Sequence, residues 1–188
     1  MTNGGRRDGR RRLLKALGEI DRPVLLKRGM SMTVDETVQA ADYVLAGGND
    51  RVILCERGIR TFETAYRFTL DLAAVPMLKE RSGLRVVVDP SHAPGRRDLM
   101  LALSKVAAAV GAEGIIVEVG EDPDAALSDS RQQLRVEHVG DYMSKLERVI
   151  CAEGRTVLRG DGLVTHLCPA SAMQTSTNHR SPGMIALT

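Results

Sequence analysis

The stretch Arg85-Val-Val-Val-Asp-Pro-Ser-His92 decides the fold class of this chain. Three consecutive valines indicate a short strand that is buried on both faces, which is typical of a parallel sheet covered by helices. Asp89, Ser91 and His92 follow the valines directly. Because functional groups of parallel α/β proteins stand at the carboxyl ends of the strands, the stretch predicts both a strand and the edge at which a site lies.

Three more segments share this design, an apolar run that ends in polar residues: Pro23–Gly29, Arg51–Gly58 and Gly114–Val119. Between the four strands lie helix-period stretches at Val34–Ala46, Pro76–Arg81, Asp98–Val110 and Leu134–Ile150. The strands begin at residues 23, 51, 85 and 114, a spacing typical of βαβ units of roughly 30 residues. The sequence is therefore α/β. Since a closed barrel takes about 250 residues, we expect a partial (β/α)8 TIM barrel of about four βα units.

The chain divides into three parts by composition. Residues 1–11 are rich in glycine and arginine and are expected to form a basic, flexible start. Residues 12–150 hold the periodic pattern and form the predicted barrel domain, with a short helix at Arg12–Leu17 before the first strand. Residues 151–188 mix Gly, Ser, Thr, Asn and Pro without a sustained period, which predicts an irregular, poorly ordered tail.

Composition excludes several classes of function. The chain is 43% hydrophobic and 27% charged with a net charge of +2, as expected of a globular protein. It has no Trp and only two Phe and three Tyr to stack on bases, so we expect no nucleic-acid partner, although the arginine-rich start keeps that alternative open. No segment approaches the ~20 apolar residues of a membrane span. Three cysteines without CxxC spacing favour reduced thiols and a cytoplasmic location.

The residues at the strand ends suggest an anionic substrate and a metal ion. Positive charge comes from Lys27, Arg28, Arg57, Arg60, Arg96 and Arg97, and forked guanidinium donors suit phosphate or carboxylate groups. His92, Glu118 and Asp129 offer one nitrogen and two oxygen ligands, which suits manganese, iron, cobalt or zinc. Each residue also has an ordinary interpretation. A histidine after a strand is more often a hydrogen-bonded loop residue than a ligand, lone carboxylates are more often at a solvated surface, and the cations are as typical of rim salt bridges as of anion binding.

Several motifs follow in one order along the chain: Pro23-Val-Leu-Leu-Lys-Arg-Gly29, Val52-Ile-Leu-Cys-Glu-Arg-Gly-Ile-Arg-Thr-Phe-Glu63, Thr69-Leu-Asp-Leu72, Val88-Asp-Pro-Ser-His92 with Gly95-Arg96-Arg97, and Ala126-Leu-Ser-Asp129. Together they resemble the 3-deoxy-7-phosphoheptulonate (DAHP) synthase family in its shorter microbial type, over roughly residues 12 to 148. The related 3-deoxyoctulosonate 8-phosphate synthases differ at the Cys-Glu-Arg-Gly and Asp-Pro-Ser-His stretches.

This resemblance implies an aldol-type transferase that condenses phosphoenolpyruvate with erythrose 4-phosphate and releases phosphate, in the shikimate pathway to aromatic amino acids. It implies that Lys27 and Arg57 bind phosphoenolpyruvate, and that Lys27 and His92 are catalytic. By the same resemblance His92, Glu118 and Asp129 hold the divalent ion. Arg6 is placed where the family has a phosphate-binding turn.

The departures from the family pattern concern the first half of the barrel. The family's first four strands have no counterpart here, nor do the Gly-Pro-Cys segment with a fourth metal ligand and the Lys-Pro-Arg-Thr segment that grips both substrates. Strands Pro23–Arg28 and Gly114–Val119 would then be exposed edges. We therefore expect a homo-oligomer or a complementing N-terminal half as partner. The alternative is an inactive remnant that binds phosphorylated ligands or a barrel partner without turnover.

Overall fold

The computed structural model describes residues 4–158 and 183–187, and it alternates helices and parallel strands. The helices are α1 (Gly4–Gly18), α2 (Val34–Leu45), α3 (Ala74–Ser82), α4 (Arg97–Ala109) and α5 (Val139–Ala152). The longer strands are β1 (Val24–Lys27), β2 (Val52–Glu56), β3 (Arg85–Val88) and β4 (Gly114–Val117), followed by the short pair β5 (Val119–Gly120) and β6 (Leu134–Arg135). Two strands near the C-terminus are β7 (Val157–Leu158) and β8 (Gly183–Leu187).

The main sheet is six-stranded and parallel, in the order β1-β2-β3-β4-β8-β7. Its register pairs Val24 with Val52, Leu54 with Val86 and Val88 with Ile115. The four predicted strands thus stand in sequence order, each separated from the next by a helix. This confirms the predicted α/β fold, a partial barrel of four βα units.

The sheet is covered by an aliphatic core, as the scarcity of aromatic residues predicts. Val44, Leu78 and Leu146 from three different helices are fully buried, together with Leu54 and Val86 of the sheet. The opposite side of the sheet holds a smaller buried cluster of Cys55, Val87 and Ile116. Burial on both sides explains why these strands are continuous apolar runs and do not alternate.

Helix α2 begins at Val34, as predicted, and ends at Leu45, one residue before the predicted end. The Thr33 side chain accepts a hydrogen bond from the Glu36 N–H, and the Glu36 carboxylate accepts one from the Thr33 N–H, which completes a capping box. By contrast, the predicted helix Leu134–Ile150 begins only at Val139. Leu134 and Arg135 instead pair with Val119 and Gly120 as a small second sheet.

Both ends of the chain contain regular structure beyond what the sequence predicts. Helix α1 begins at Gly4, inside the stretch 1–11 for which a flexible start is predicted, and arginines are good helix formers. The predicted irregular tail from residue 151 contains the short strands β7 and β8, and the division into three parts stays a prediction. In β8, Met184, Ile185 and Leu187 form a short apolar run that pairs with β4, so the predicted exposed edge at Gly114–Val119 is covered there. Residues 159–182 of the predicted tail lie outside the described residues.

The cysteines only partly match the expectation of reduced thiols. Cys55 is free and buried, whereas Cys151 is disulfide-bonded. Within residues 4–158 and 183–187, no helix has the length and apolar character that crossing a membrane requires.

Candidate active site

The predicted site residues lie at the carboxyl edge of the parallel sheet. Lys27 ends β1, Glu56 ends β2, and Asp89 follows β3 directly. Glu118 follows β4 in the same way. Because the strands are parallel and adjacent, all four ends meet at one edge, as the sequence predicted.

Asp89 is the centre of this edge. Its side chain is 1% exposed, and its Oδ2 lies 2.9 Å from Lys27 Nζ and 2.8 Å from His92 Nδ1. Its Oδ1 accepts hydrogen bonds from the backbone N–H groups of Ser91 and His92, at 3.2 and 3.1 Å. Lys27 therefore forms a salt bridge, as one of the two interpretations of the sequence predicted. Its partner, however, is a buried carboxylate at the strand ends and not a residue at the rim.

A candidate metal centre is formed by His92, Glu118 and Asp129. Each offers one ligand atom, and these atoms lie within 4.8 Å of one another; among the described residues this is the one such cluster of His, Cys, Asp and Glu. His92 Nε2 is 2.9 Å from Glu118 Oε1, close to the ~3 Å expected for two ligands at right angles with bonds of ~2.1 Å. One imidazole and two carboxylates fit a divalent transition ion.

The two carboxylates of this cluster are held by side chains that sequence reasoning missed. Buried Gln132 donates from Nε2 to Glu118 Oε2 at 2.9 Å. Arg67 donates to Asp129 Oδ1 at 3.0 Å and to Gln132 Oε1 at 3.1 Å. The Ser91 hydroxyl accepts from the Glu118 N–H at 3.0 Å. No signal in the sequence marks Gln132, which is an uncharged residue in an irregular segment.

Asp129 itself has a backbone conformation that few side chains adopt. Its φ is 55°, and it is the one described residue other than glycine with a positive φ. Aspartate tolerates this region better than most residues. The conformation turns the chain just before a 3-10 helix at Ser130–Gln132, so Asp129 and Gln132 both reach the same cluster.

Arg57 follows β2 at the same sheet edge and keeps part of its guanidinium free. Its NH1 atom is buried without a hydrogen-bond partner, and its guanidinium carbon lies 5.2 Å from the ring centroid of Phe68. Arg67 lies 5.3 Å from the same centroid. Buried donors without a partner are rare in folded proteins, so this atom is suited to an incoming anion.

A buried ion network fixes the loop that carries Arg57. Arg28 NH1 donates to Glu56 Oε2 at 2.8 Å and to Asp71 Oδ2 at 2.9 Å. Burial acts to lower the pKa of Arg28, but the hydrogen bonds to the two carboxylates outweigh it and raise that pKa. Glu56 Oε1 in turn accepts from the Gly58 N–H at 2.7 Å. Arg28, predicted as an anion ligand, is therefore occupied by two carboxylates of this chain.

Gly58 is required at the turn after β2. Its φ is 92°, and a Cβ atom there would lie 2.9 Å from the Ala93 Cβ and 3.0 Å from the Phe68 Cβ. Both the backbone conformation and the space exclude a larger residue. This close approach brings the Arg57 loop against the loop that carries His92.

Four further arginines were predicted to bind anions, and the structure places them differently. Arg60 is exposed, and Arg96 pairs with Asp98 at the surface. Arg97 donates to the Ser130 carbonyl at 2.8 Å, next to the loop of Asp129. Arg6 lies within α1, and its predicted contact with a phosphate stays a prediction.

These features define the class of protein: a parallel α/β half-barrel with a His-Glu-Asp cluster next to cationic side chains. The model of the DAHP synthetase I family matches residues 4–150, and the chain belongs to that family. The "Phospho-2-dehydro-3-deoxyheptonate aldolase" of Thermotoga maritima is 50% identical over 143 residues, which is 76% of this chain and 42% of that protein. A "2-dehydro-3-deoxyphosphooctonate aldolase" of Geobacter sulfurreducens is 31% identical over 149 residues, 73% of this chain and 53% of that protein.

Solved structures show the same likeness. A truncated form of 3-deoxy-D-arabino-heptulosonate 7-phosphate synthase from Thermotoga maritima is 48% identical, with a TM-score of 0.75 over 80% of this chain and 58% of that one. A longer chain from the same organism, a phospho-2-dehydro-3-deoxyheptonate aldolase (DAHP synthase), is 48% identical, with a TM-score of 0.76 over 80% of this chain and 44% of that one. The chain thus spans about half the length of the relatives it matches.

Proposed function

We propose that this chain carries part of the active site of a 3-deoxy-7-phosphoheptulonate synthase, an aldol-type transferase of aromatic amino-acid biosynthesis. The reaction condenses phosphoenolpyruvate with erythrose 4-phosphate and releases phosphate. The observation that carries the proposal is the meeting of a cation-binding and an anion-binding group at one sheet edge. The His92-Glu118-Asp129 cluster and Lys27 are joined there through Asp89.

Lys27 and Arg57 are the proposed ligands of phosphoenolpyruvate. The Lys27 side chain is 41% exposed while its ammonium is anchored on Asp89, so two of its three protons remain available to an anion. Arg57 NH1 has no partner in the described part of the chain. A point charge and a guanidinium fork together suit a ligand that bears both a carboxylate and a phosphate.

His92, Glu118 and Asp129 would hold the divalent ion, which is manganese, iron, cobalt or zinc by the chemistry of its ligands. When bound, the ion supplies a Lewis acid for the aldehyde carbonyl of the second substrate. The chain's own residues orient the partners for the reaction. Glu118 and Asp129 are fixed by Gln132 and Arg67, and Lys27 holds the anionic substrate beside them, which lowers the entropic cost of their encounter.

A partner that completes the barrel is part of this proposal. β1 pairs only with β2 among the described strands, and Leu25 on β1 is 42% exposed. An open parallel edge with apolar side chains favours association. We propose that a second copy of the chain or a complementing N-terminal half covers this edge. The cytoplasmic location and the absence of a nucleic-acid partner stay predictions.

The test is an assay of phosphoenolpyruvate loss in the presence of erythrose 4-phosphate and Mn²⁺. It is run on the chain alone and on a mixture with the part of the Thermotoga maritima relative that precedes the matched region. We expect turnover in the mixture that falls to background in His92→Ala and persists in the control His138→Ala, an exposed histidine outside the cluster. No turnover in either preparation would support the alternative of an inactive remnant.

A further inference from the structure

We propose that Asp89 is the positioning residue that fixes the His92 imidazole for metal binding and anchors Lys27 with the same oxygen. The inference rests on the proposed function, because it assigns a role at that same site. Its basis is independent of the family resemblance, however. It depends on one buried carboxylate and the donors that surround it.

The hydrogen bonds of Asp89 leave one arrangement for the His92 ring. A carboxylate only accepts hydrogen bonds, and Asp89 Oδ2 lies 2.8 Å from His92 Nδ1. Nδ1 must therefore carry a proton. Nε2, which lies 2.9 Å from Glu118 Oε1, is then the nitrogen that faces the cluster and can bind an ion with its lone pair when it carries no proton. A carboxylate behind a ligating histidine is a recurrent device for this purpose.

Asp89 is itself held rigidly, so that it can impose this orientation. Its Oδ1 accepts from the N–H groups of Ser91 and His92, and its own N–H donates to the Glu56 carbonyl at 2.8 Å. The side chain is 1% exposed, so water does not compete for its oxygens. The ring and the carboxylate are therefore locked into one turn at the end of β3.

The shared oxygen makes Asp89 different from a purely structural carboxylate. Oδ2 accepts from Lys27 Nζ at 2.9 Å as well as from His92. One atom thus sets the position of the proposed phosphoenolpyruvate ligand and of a proposed metal ligand. Replacing it should disturb a property of His92 that packing alone does not control, namely whether Nδ1 carries a proton.

The variant Asp89→Asn keeps the size of the side chain and turns one acceptor into a donor. The amide oxygen takes the position of Oδ1, which accepts from two backbone N–H groups, so the NH₂ group faces His92, and Lys27, which can only donate, loses this partner. Nδ1 must then accept, and the ring proton resides on Nε2, the nitrogen needed by the ion. We expect the Mn²⁺ dissociation constant, measured by electron paramagnetic resonance of free Mn²⁺, to rise about 10- to 100-fold. The control Asp42→Asn removes the same charge from an exposed position on α2 and should change it less than about twofold.

The decisive readout is whether His92 Nδ1 carries a proton, observed by ¹⁵N NMR of labelled protein without metal and assigned by the signal lost in His92→Gln. We expect a proton on Nδ1 in the wild type and in Lys27→Met, which removes only the other donor to Oδ2, and its loss in Asp89→Asn. A proton that stays on Nδ1 in Asp89→Asn, or that is lost in Lys27→Met, overturns the proposal.

The two proposals fail in distinguishable ways. If the wild-type chain does not bind Mn²⁺, the metal centre of the proposed function is wrong, while the proton on Nδ1 still decides whether Asp89 positions the ring. If the wild type binds Mn²⁺ and Asp89→Asn binds it equally well, the positioning role is wrong and the metal centre stands. Far-ultraviolet circular dichroism of each variant shows whether it is folded, and an unfolded Asp89→Asn is replaced by Asp89→Ser for the same measurements.

Discussion

Replacing Phe68 by leucine tests whether an aromatic ring, and not apolar bulk alone, holds the two arginines of the site. The Phe68 ring is buried, and the guanidinium carbons of Arg57 and Arg67 lie 5.2 and 5.3 Å from its centroid. Each such contact contributes about 0.5–1 kcal/mol when partly exposed. Leucine keeps most of the apolar contact, and such swaps cost less than about 1.5 kcal/mol. We therefore expect Phe68→Leu to lower the free energy of unfolding by about 2 kcal/mol.

Phe62, the other phenylalanine of the chain, is a matched control because the fold does not bury it. Phe62 is 98% exposed, so Phe62→Leu should change the free energy of unfolding by less than about 0.5 kcal/mol. Both values are measured by urea denaturation. In an Arg57→Met background one of the two ring contacts is already absent, and the cost of Phe68→Leu should fall by about 0.5–1 kcal/mol.

The same variant has a consequence for ligand binding. Because Phe68 orients Arg57, its loss should weaken phosphoenolpyruvate binding, measured by calorimetry, by about two- to fivefold, the equivalent of 0.5–1 kcal/mol. A Phe68→Leu variant as stable as Phe62→Leu, with unchanged cost in the Arg57→Met background, would refute the reasoning that the ring acts on the guanidinium groups.

Other predictions concern the core, a buried amide and a buried thiol. Leu78→Ala should lower the free energy of unfolding, measured in urea, by about 3 kcal/mol because Leu78 is fully buried. Leu127 is fully exposed, so Leu127→Ala should change that free energy by less than about 0.5 kcal/mol. Equal effects of the two substitutions would contradict the packing. Asn49→Ala should cost about 2–3 kcal/mol in the same assay, because its side chain bonds two backbone carbonyls and one backbone N–H; a cost below ~0.5 kcal/mol would argue against these bonds. Burial raises the pKa of the Cys55 thiol to about 12, so mass spectrometry should show no alkylation of Cys55 at pH 8 without urea. Rapid alkylation of Cys55 in the folded protein would show that this prediction is wrong. Since the folded-state pKa of Cys55 is the higher one, its contribution to stability is complete below pH ~8.5 and is lost as pH rises toward 12.

The strands of this fold were predictable because both of their faces are buried. Val86, Val87 and Val88 are all buried, so no polar residue interrupts the run and the strand ends one residue before Asp89. The bounds of α2 were predictable for a local reason, the capping box at Thr33. The start of α5 was not, since Leu134 continues the helical period although it pairs with Val119 in a strand. A periodic pattern does not distinguish a helix residue from a neighbouring strand residue that faces the same core.

The site was predictable to the extent that its residues carry charge at a strand end. Lys27, His92 and Glu118 stand at such ends and do converge. Gln132 and Phe68 were missed because their roles come from long-range contacts, Gln132 with Glu118 and Phe68 with the arginine side chains. Neither residue carries a charge, and both lie outside the strands. The sequence holds no local pattern that marks either of them.

The family resemblance implies both metal binding and turnover, but the contacts around the proposed metal centre indicate that this chain alone supports only the first. His92, Glu118 and Asp129 are each held by a side chain of this chain, namely Asp89, Gln132 and Arg67. Preorganised ligands of this kind do not depend on a partner for their geometry. Positioning two phosphorylated substrates requires more donors than Lys27 and Arg57 provide. We therefore expect this chain alone to bind the metal ion under conditions where turnover still requires the partner. A metal affinity that appears only together with turnover would show that the partner also builds the metal centre.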